Sequence, residues 1–111
     1  MSKKVEERTK LRGIVKMCVK GVFQDDFFFS VSQNLSATGM LLEAERSLAQ
    51  GDRITCSFFL QRGVTVAGEI VRIERKETNL YNYGVRFVNL DPSSRAQIEE
   101  AVKGENDHRR A

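Results

Sequence analysis

Gln33-Asn34-Leu35-Ser36-Ala37-Thr38-Gly39-Met40 is a small, polar, glycine-bearing stretch set between two apolar runs. In an extended backbone, side chains two apart point the same way. Asn34 and Ser36 therefore share one face, and Leu35 points to the other. An amide and a hydroxyl side by side form a hydrogen-bonding platform, since Asn both donates and accepts and Ser can do either. Gly39 has no Cβ, so the chain can turn there or another group can approach closely. The stretch reads as a link between two strands, and it assigns the flanking runs to a sheet.

Upstream, Phe27 to Gln33 alternates, with Phe27, Phe29 and Val31 on one side and Phe28 and Ser30 on the other. Gln24-Asp25-Asp26 is a turn, because Asp can bond its own backbone. Gly13 to Phe23 alternates as well, with Val15, Met17 and Val19 opposite Lys16, Cys18 and Lys20. Such alternation is the mark of a half-buried strand. Downstream, Met40 to Ala44 is a third strand and Arg53 to Gln61 a fourth, with Ile54, Cys56, Phe58 and Leu60 on its apolar side. Val64 to Glu74 is a fifth, whose phase slips between Ile70 and Val71 near Gly68, as at a bulge. Leu80 to Val88 is the sixth, with Tyr81, Tyr83, Val85 and Phe87 on one face. Most aromatic residues lie on faces that also carry Val, Ile or Leu and are assigned to the core. Phe28, Phe59 and Tyr81 are the candidates for the outside. Asp91-Pro92 then starts a helix, with Asp as cap and Pro at the first helical position, and Gly104 is placed as its stop. Six short strands and one terminal helix predict an all-β fold, a six-stranded antiparallel β-barrel with a C-terminal α-helix. Closure removes the open edges of the sheet.

The 111 residues suit one domain. Residues 1–12 are charged and aperiodic and are read as a flexible N-terminal arm. Residues 13–104 are the barrel and helix, and 105–111 a disordered tail. Lys and Arg number 18 against 15 Asp and Glu, a net charge of +3. Five of the basic and two of the acidic side chains lie in residues 1–12, so the excess is all in the arm and the remainder is neutral. A basic arm on a neutral body suits a local anion site better than a broad nucleic-acid surface. No apolar run approaches the roughly 20 residues a membrane helix needs. Lys16 and Lys20 break the first apolar run, so no secretory leader and no membrane insertion are expected, and the cytoplasm is the expected compartment. Cys18 and Cys56 are read as thiols.

No enzyme site stands out. The sequence holds no Gly-rich phosphate loop, no nucleophile elbow and no His-based metal cluster. The lone His108 lies in the charged tail, and Glu99-Glu100 reads as a solvated helix face. A binding module is expected, with no catalytic residues, metal or cofactor.

Arg8 and Arg12 stand four apart just before the first strand, and Asn34-x-Ser36-x-x-Gly39 follows one strand later. The two motifs in this order resemble the signature of the PilZ domain, the bacterial receptor module for cyclic di-GMP. Gly84-Val85-Arg86-Phe87 is similar to that family's usual Gly-Val-Arg-Phe stretch. The resemblance covers nearly the whole chain. Asn34 stands where many members have Asp, and Thr9 follows Arg8 where a tandem Arg is often seen. The resemblance implies a six-stranded barrel with a C-terminal helix and cyclic di-GMP as ligand, held by Arg8, Arg12, Asn34, Ser36 and Gly39. Arg86, which points outward in the strand reading, is a second-tier candidate. It also implies an output protein acting in trans, in motility, biofilm or exopolysaccharide machinery. Glu7, just before the first motif Arg, favours one bound ligand molecule over an intercalated pair. The alternatives are a PilZ-fold adaptor that works through protein contacts without the ligand, and a small barrel that binds nucleic acid. The neutral body counts against the latter.

Overall fold

The computed structural model describes the backbone of residues 12–13 and 15–110, and the side chains of residues 15–104. Its strands are β1 (Arg12–Gly13), β2 (Met17–Phe23), β3 (Asp26–Ser36), β4 (Gly39–Ala44), β5 (Arg53–Phe59), β6 (Gly63–Glu77) and β7 (Leu80–Val88). They are followed by the helix α1 (Pro92–Arg110). Every paired neighbour is antiparallel. The six long strands run in the order β3-β2-β5-β6-β7-β4, and β4 pairs back onto β3, so the sheet closes on itself. This is the expected barrel. The two-residue β1 is laid against β3 beyond the end of β2.

The alternation read from the sequence fills the barrel. Val19, Ile54, Cys56, Phe58, Val64, Ile70, Tyr83 and Val85 are all buried. Each such side chain contributes about 1.5–3 kcal/mol on leaving water. Burial pushes the Cys56 thiol up to about 12, so it stays protonated and inert. Cys18 is exposed. Tyr83 brings its hydroxyl to the barrel rim, where it donates to Arg46 O (2.6 Å) and accepts from Leu48 N (2.9 Å). Those two bonds tie down the connector between β4 and β5. The register shift expected near Ile70 is present, with Val71 as the extra residue between the pairs Ile70↔Val85 and Arg72↔Gly84.

A second shift was not foreseen, and it corrects the reading of β3. Ser32 pairs with Leu42 and Asn34 with Leu41, so Gln33 is an extra residue in β3. One inserted residue exchanges the faces of the strand on either side of it. Leu35 is fully buried, but Phe27 and Phe29 are 59% and 72% exposed, and Phe28 is inside. Phe28 lies over its cross-strand partner Gly21, where an added Cβ would sit 2.4 Å from the ring. Ser30 and Ser32 also face inward, and their hydroxyls donate to Val19 O (3.0 Å) and Val15 O. Phe59 is exposed, as expected.

Asp91 caps α1, accepting from Ser94 N at 2.6 Å, and this bond holds its carboxyl below the usual carboxylate range. The helix packs on β1, β3 and β6 through the buried Ile98 and Val102. It does not stop at Gly104 but runs to Arg110. A glycine ends a helix by taking the left-handed conformation, and Gly104 is not among the residues with positive φ.

Candidate functional site

β3 does not end before the Asn-x-Ser-x-x-Gly motif but carries it. Asn34 and Ser36 are both strand residues, Ala37 and Thr38 make the link, and Gly39 opens β4. β1 pairs Arg12 with Ser36 and Gly13 with Leu35. The second arginine of the upstream motif is thereby joined by strand pairing to the centre of the downstream one. Arg8 and the rest of the arm lie outside the described residues, and the side chain of Arg12 is not described.

The hydroxyl of Ser36 is used within the turn. Ser36 is 1% exposed, and its Oγ accepts from Thr38 N (3.2 Å) and Gly39 N (3.3 Å) and lies 3.1 Å from Thr38 Oγ1. It also donates to Gly39 O at 3.3 Å. A serine hydroxyl bonded to the amides just ahead of it shapes a turn. Ser36 thus fixes the geometry in which Asn34 and Gly39 are presented. Thr38 O, in turn, accepts from Phe87 N at 2.9 Å, which clamps the link to β7.

Gly39 is required by close packing. A Cβ on it would lie 2.1 Å from Val85 O, inside the backbone of β7. β7 can approach β4 this closely only because the position is bare.

Two rungs of cross-strand partners build the outer wall. On one, Asn34, Leu41, Gly84 and Arg72 succeed one another across β3, β4, β7 and β6. On the other, Gly39 is followed by Arg86 and Glu69. All of these but Glu69 line an open hollow of about 700 Å³. Its floor is flat because Gly84 has no side chain, and the Arg72 side chain crosses that gap, with Cβ 3.2 Å and Nε 3.7 Å from where a Gly84 Cβ would be.

Charge is concentrated at one edge of the hollow. Arg86 is exposed and ion-pairs with Glu69, which also lies 4.0 Å from Arg53. Arg72 makes no ion pair among the described residues. The hollow therefore offers one guanidinium held by a carboxylate and one that is not. Arg72 was missed from sequence because it stands in an ordinary strand run. Its place becomes meaningful only when the register sets Gly84 beside it. A second hollow of about 340 Å³, between α1 and the β5–β6 turn, is lined by Leu60, Gln61, Ala96, Gln97, Glu100 and Ala101. It has a carboxylate and no cation, so it suits an anion poorly. Among the described residues no group of His, Cys, Asp or Glu is placed to hold a metal, and no helix is long and apolar enough to cross a membrane.

A closed six-stranded barrel, a short N-terminal strand on β3 and a glycine-floored hollow beside the motif turn define a class. The chain belongs to the PilZ domain family, whose pattern matches residues 6–104. No curated protein sequence matches it. Among solved structures it is similar to the inhibitor of motility MotI (DgrA) of Bacillus subtilis, with a TM-score of 0.83 at 13% identity. The match covers 94% of this chain and 53% of MotI, so the chain spans about half the length of that protein. The PilZ domain of YcgR from Escherichia coli, solved with c-di-GMP, matches at a TM-score of 0.75 and 15% identity, over 91% of this chain and 92% of the domain. The PilZ domain of CeSA from a cellulose-synthesizing bacterium matches at 0.64 and 12%, over 84% and 95%. At such identities these likenesses speak for the fold.

Proposed function

We propose that the protein is a cyclic di-GMP receptor that signals to an output protein in trans. The observation that carries the reading is the pairing of Arg12, the second arginine of the motif, with Ser36, in the strand whose Asn34 lines the hollow together with Gly39, Arg72 and Arg86. Membership of the PilZ family supports it, as does the ligand in the similar YcgR domain. The ligand is a flat, doubly charged dinucleotide. Arginine suits both parts of it, clamping phosphate with charge-assisted bonds and bonding the O6/N7 edge of guanine in a bidentate fork. Arg8 from the arm and Arg12 from β1 take these roles, Asn34 reads the base edge, and Gly39 and Gly84 leave the wall flat enough for a ring. Ser36 holds the turn, while Arg72 and Arg86 complete the positive rim.

Calorimetric titration of cyclic di-GMP into the wild type and into Arg12→Ala tests the reading. Saturable heat that the substitution abolishes supports it, and no heat from the wild type rejects it. The arm carries all the excess charge of the chain, so it is expected to close over the ligand and become ordered. Amide exchange of residues 5–13 should slow on binding, and equal protection in both states would sink the closing arm. A second reading, an adaptor that works by protein contact without ligand, draws support from the exposed Phe27 and Phe29.

A further inference from the structure

Gln33 and Asn34 stand together opposite a single residue of β4. Ser32 pairs with Leu42 and Leu35 with Met40, and Ser32 and Leu35 are both fully buried. Only Leu41 is left to face the two residues between them. The inward side chains fix that a bulge lies here. Ser32-Gln33-Asn34 is a polar run, however, and nothing apolar in it says which of Gln33 and Asn34 is the extra one. A side-chain anchor decides it. Gln33 Nε2 donates to Glu43 Oε1 at 2.6 Å. That bond draws Gln33 along β4 toward a residue outside the hollow, and Asn34 is left as the partner of Leu41 and a lining residue.

Glu43 is itself held from the far side. Lys76 Nζ reaches its other oxygen, Oε2, at 3.1 Å. Lys76 is an extra residue of β6, between the pairs Arg75↔Tyr81 and Glu77↔Leu80. Two bulges, on strands that are not neighbours, thus aim their side chains at one carboxylate on β4, whose side chain is only 21% exposed. Hydrogen bonds to an ionised carboxylate are the stronger kind, and two from opposite sides leave it one orientation.

We infer that Glu43 is a positioning residue for base recognition: through Gln33 it keeps Asn34 aimed into the hollow, and so it sets selectivity for guanine over adenine. The inference rests on the cyclic di-GMP reading of the site. An Asn amide both donates and accepts, so a loosely held one turns over and suits the edge of adenine as well as that of guanine. Asn34 favours guanine only while its amide is kept one way up. Glu43 acts on this through the bulge and not by touching the ligand.

Titration of cyclic di-GMP and of cyclic di-AMP into the full chain tests the inference. The ratio of the two affinities is the readout, because a merely structural loss weakens both alike. The wild type is expected to prefer cyclic di-GMP. Glu43→Ala should cut that preference by about tenfold, the order of one base contact, and leave the part set by the arginines. Gln33→Ala should do the same, and the two together should add nothing further. Glu43→Gln keeps an amide oxygen for Gln33 and should retain most of the preference. In an Asn34→Ala background the preference is already reduced, and Glu43→Ala should not lower it more. An unchanged ratio in Glu43→Ala, or a fall that persists without Asn34, overturns the inference. A second measurement needs no ligand. Cross-strand nuclear Overhauser contacts of Leu41 should run to Asn34 in the wild type and shift in part to Gln33 in Glu43→Ala. A wild type that binds neither dinucleotide rejects the receptor reading, whereas unshifted Leu41 contacts reject the anchoring of the bulge by Glu43 whatever binds.

Discussion

The hollow beside Asn34 and the aromatic face around Phe29 are two parts of one closed sheet, and they share the strand β3. They are built by opposite means. The hollow exists because side chains are missing: Gly39 lets β7 come close and Gly84 leaves a bare floor for Arg72 to cross. The aromatic face exists because large side chains stand where a soluble barrel would usually place polar ones. A single inserted residue, Gln33, separates them. Ahead of it the odd-numbered residues of β3 face water, and beyond it Asn34 lines the hollow and Leu35 turns in. Within one strand, a bulge lets one end contribute to a charged recess and the other to an apolar surface without either set being buried.

The sharpest test of that division is in β3 itself. Phe28 and Phe29 are adjacent and chemically identical, yet one is inside and one outside. Phe28→Ala removes a ring from the barrel and leaves a gap over Gly21, so it should lower unfolding free energy by about 3–5 kcal/mol. Phe29→Ala removes a solvent-facing ring and should stay within about 0.5 kcal/mol of the wild type. Denaturant unfolding of the two variants decides it. The reverse order would mean that the strand keeps one phase throughout and that Gln33 is not a bulge.

That same pair marks where the sequence could be read and where it could not. The barrel was legible because Ile54, Cys56 and Phe58, and again Tyr83, Val85 and Phe87, alternate without interruption and are all buried. The Val71 bulge was legible because the alternation visibly slips there. The Gln33 bulge was hidden because Phe27, Phe29 and Val31 before it and Leu35 after it all fall on odd positions, so the apolar phase looks the same on both sides. Nothing in that pattern says that Leu35 faces the opposite way. The motif residues announced the site, but their division of labour needed the register: Ser36 closes the turn, and Arg72 joins the wall only through Gly84.

The hollow makes a smaller prediction from its two glycines. Gly39→Ala drives a methyl into Val85 O, and backbone cannot rotate aside as a side chain can. A loss of about 1–3 kcal/mol is expected, as for overpacking elsewhere. Gly84→Ala meets Arg72 Cβ at 3.2 Å, a contact relieved if the strands give by a few tenths of an ångström. Its stability should change by about 0.5 kcal/mol or less, while ligand binding falls because the floor is no longer flat. Unfolding and titration on the same two proteins separate the effects. If Gly84→Ala destabilised as much as Gly39→Ala, the hollow would be a packing feature of the barrel with no recognition role.

The smallest effect expected is also the most informative about charge. Glu69 is the only carboxylate on the two rungs among the described residues, and it holds Arg86. An anionic ligand that draws on Arg86 must compete with it. Because the Arg86 side chain is 59% exposed, water already screens the pair, and its strength is about 0.2–1 kcal/mol. Removing the carboxylate in Glu69→Gln keeps the shape of the side chain and should tighten cyclic di-GMP by about fivefold at most. The gain should shrink as salt is added, since exposed charges are screened. In an Arg86→Ala background it should vanish, because there is no guanidinium left to release. Weaker binding by Glu69→Gln would instead mean that the carboxylate aims Arg86 at the ligand. An effect that persists without Arg86 would place the influence of Glu69 on Arg53, 4.0 Å away on the neighbouring strand.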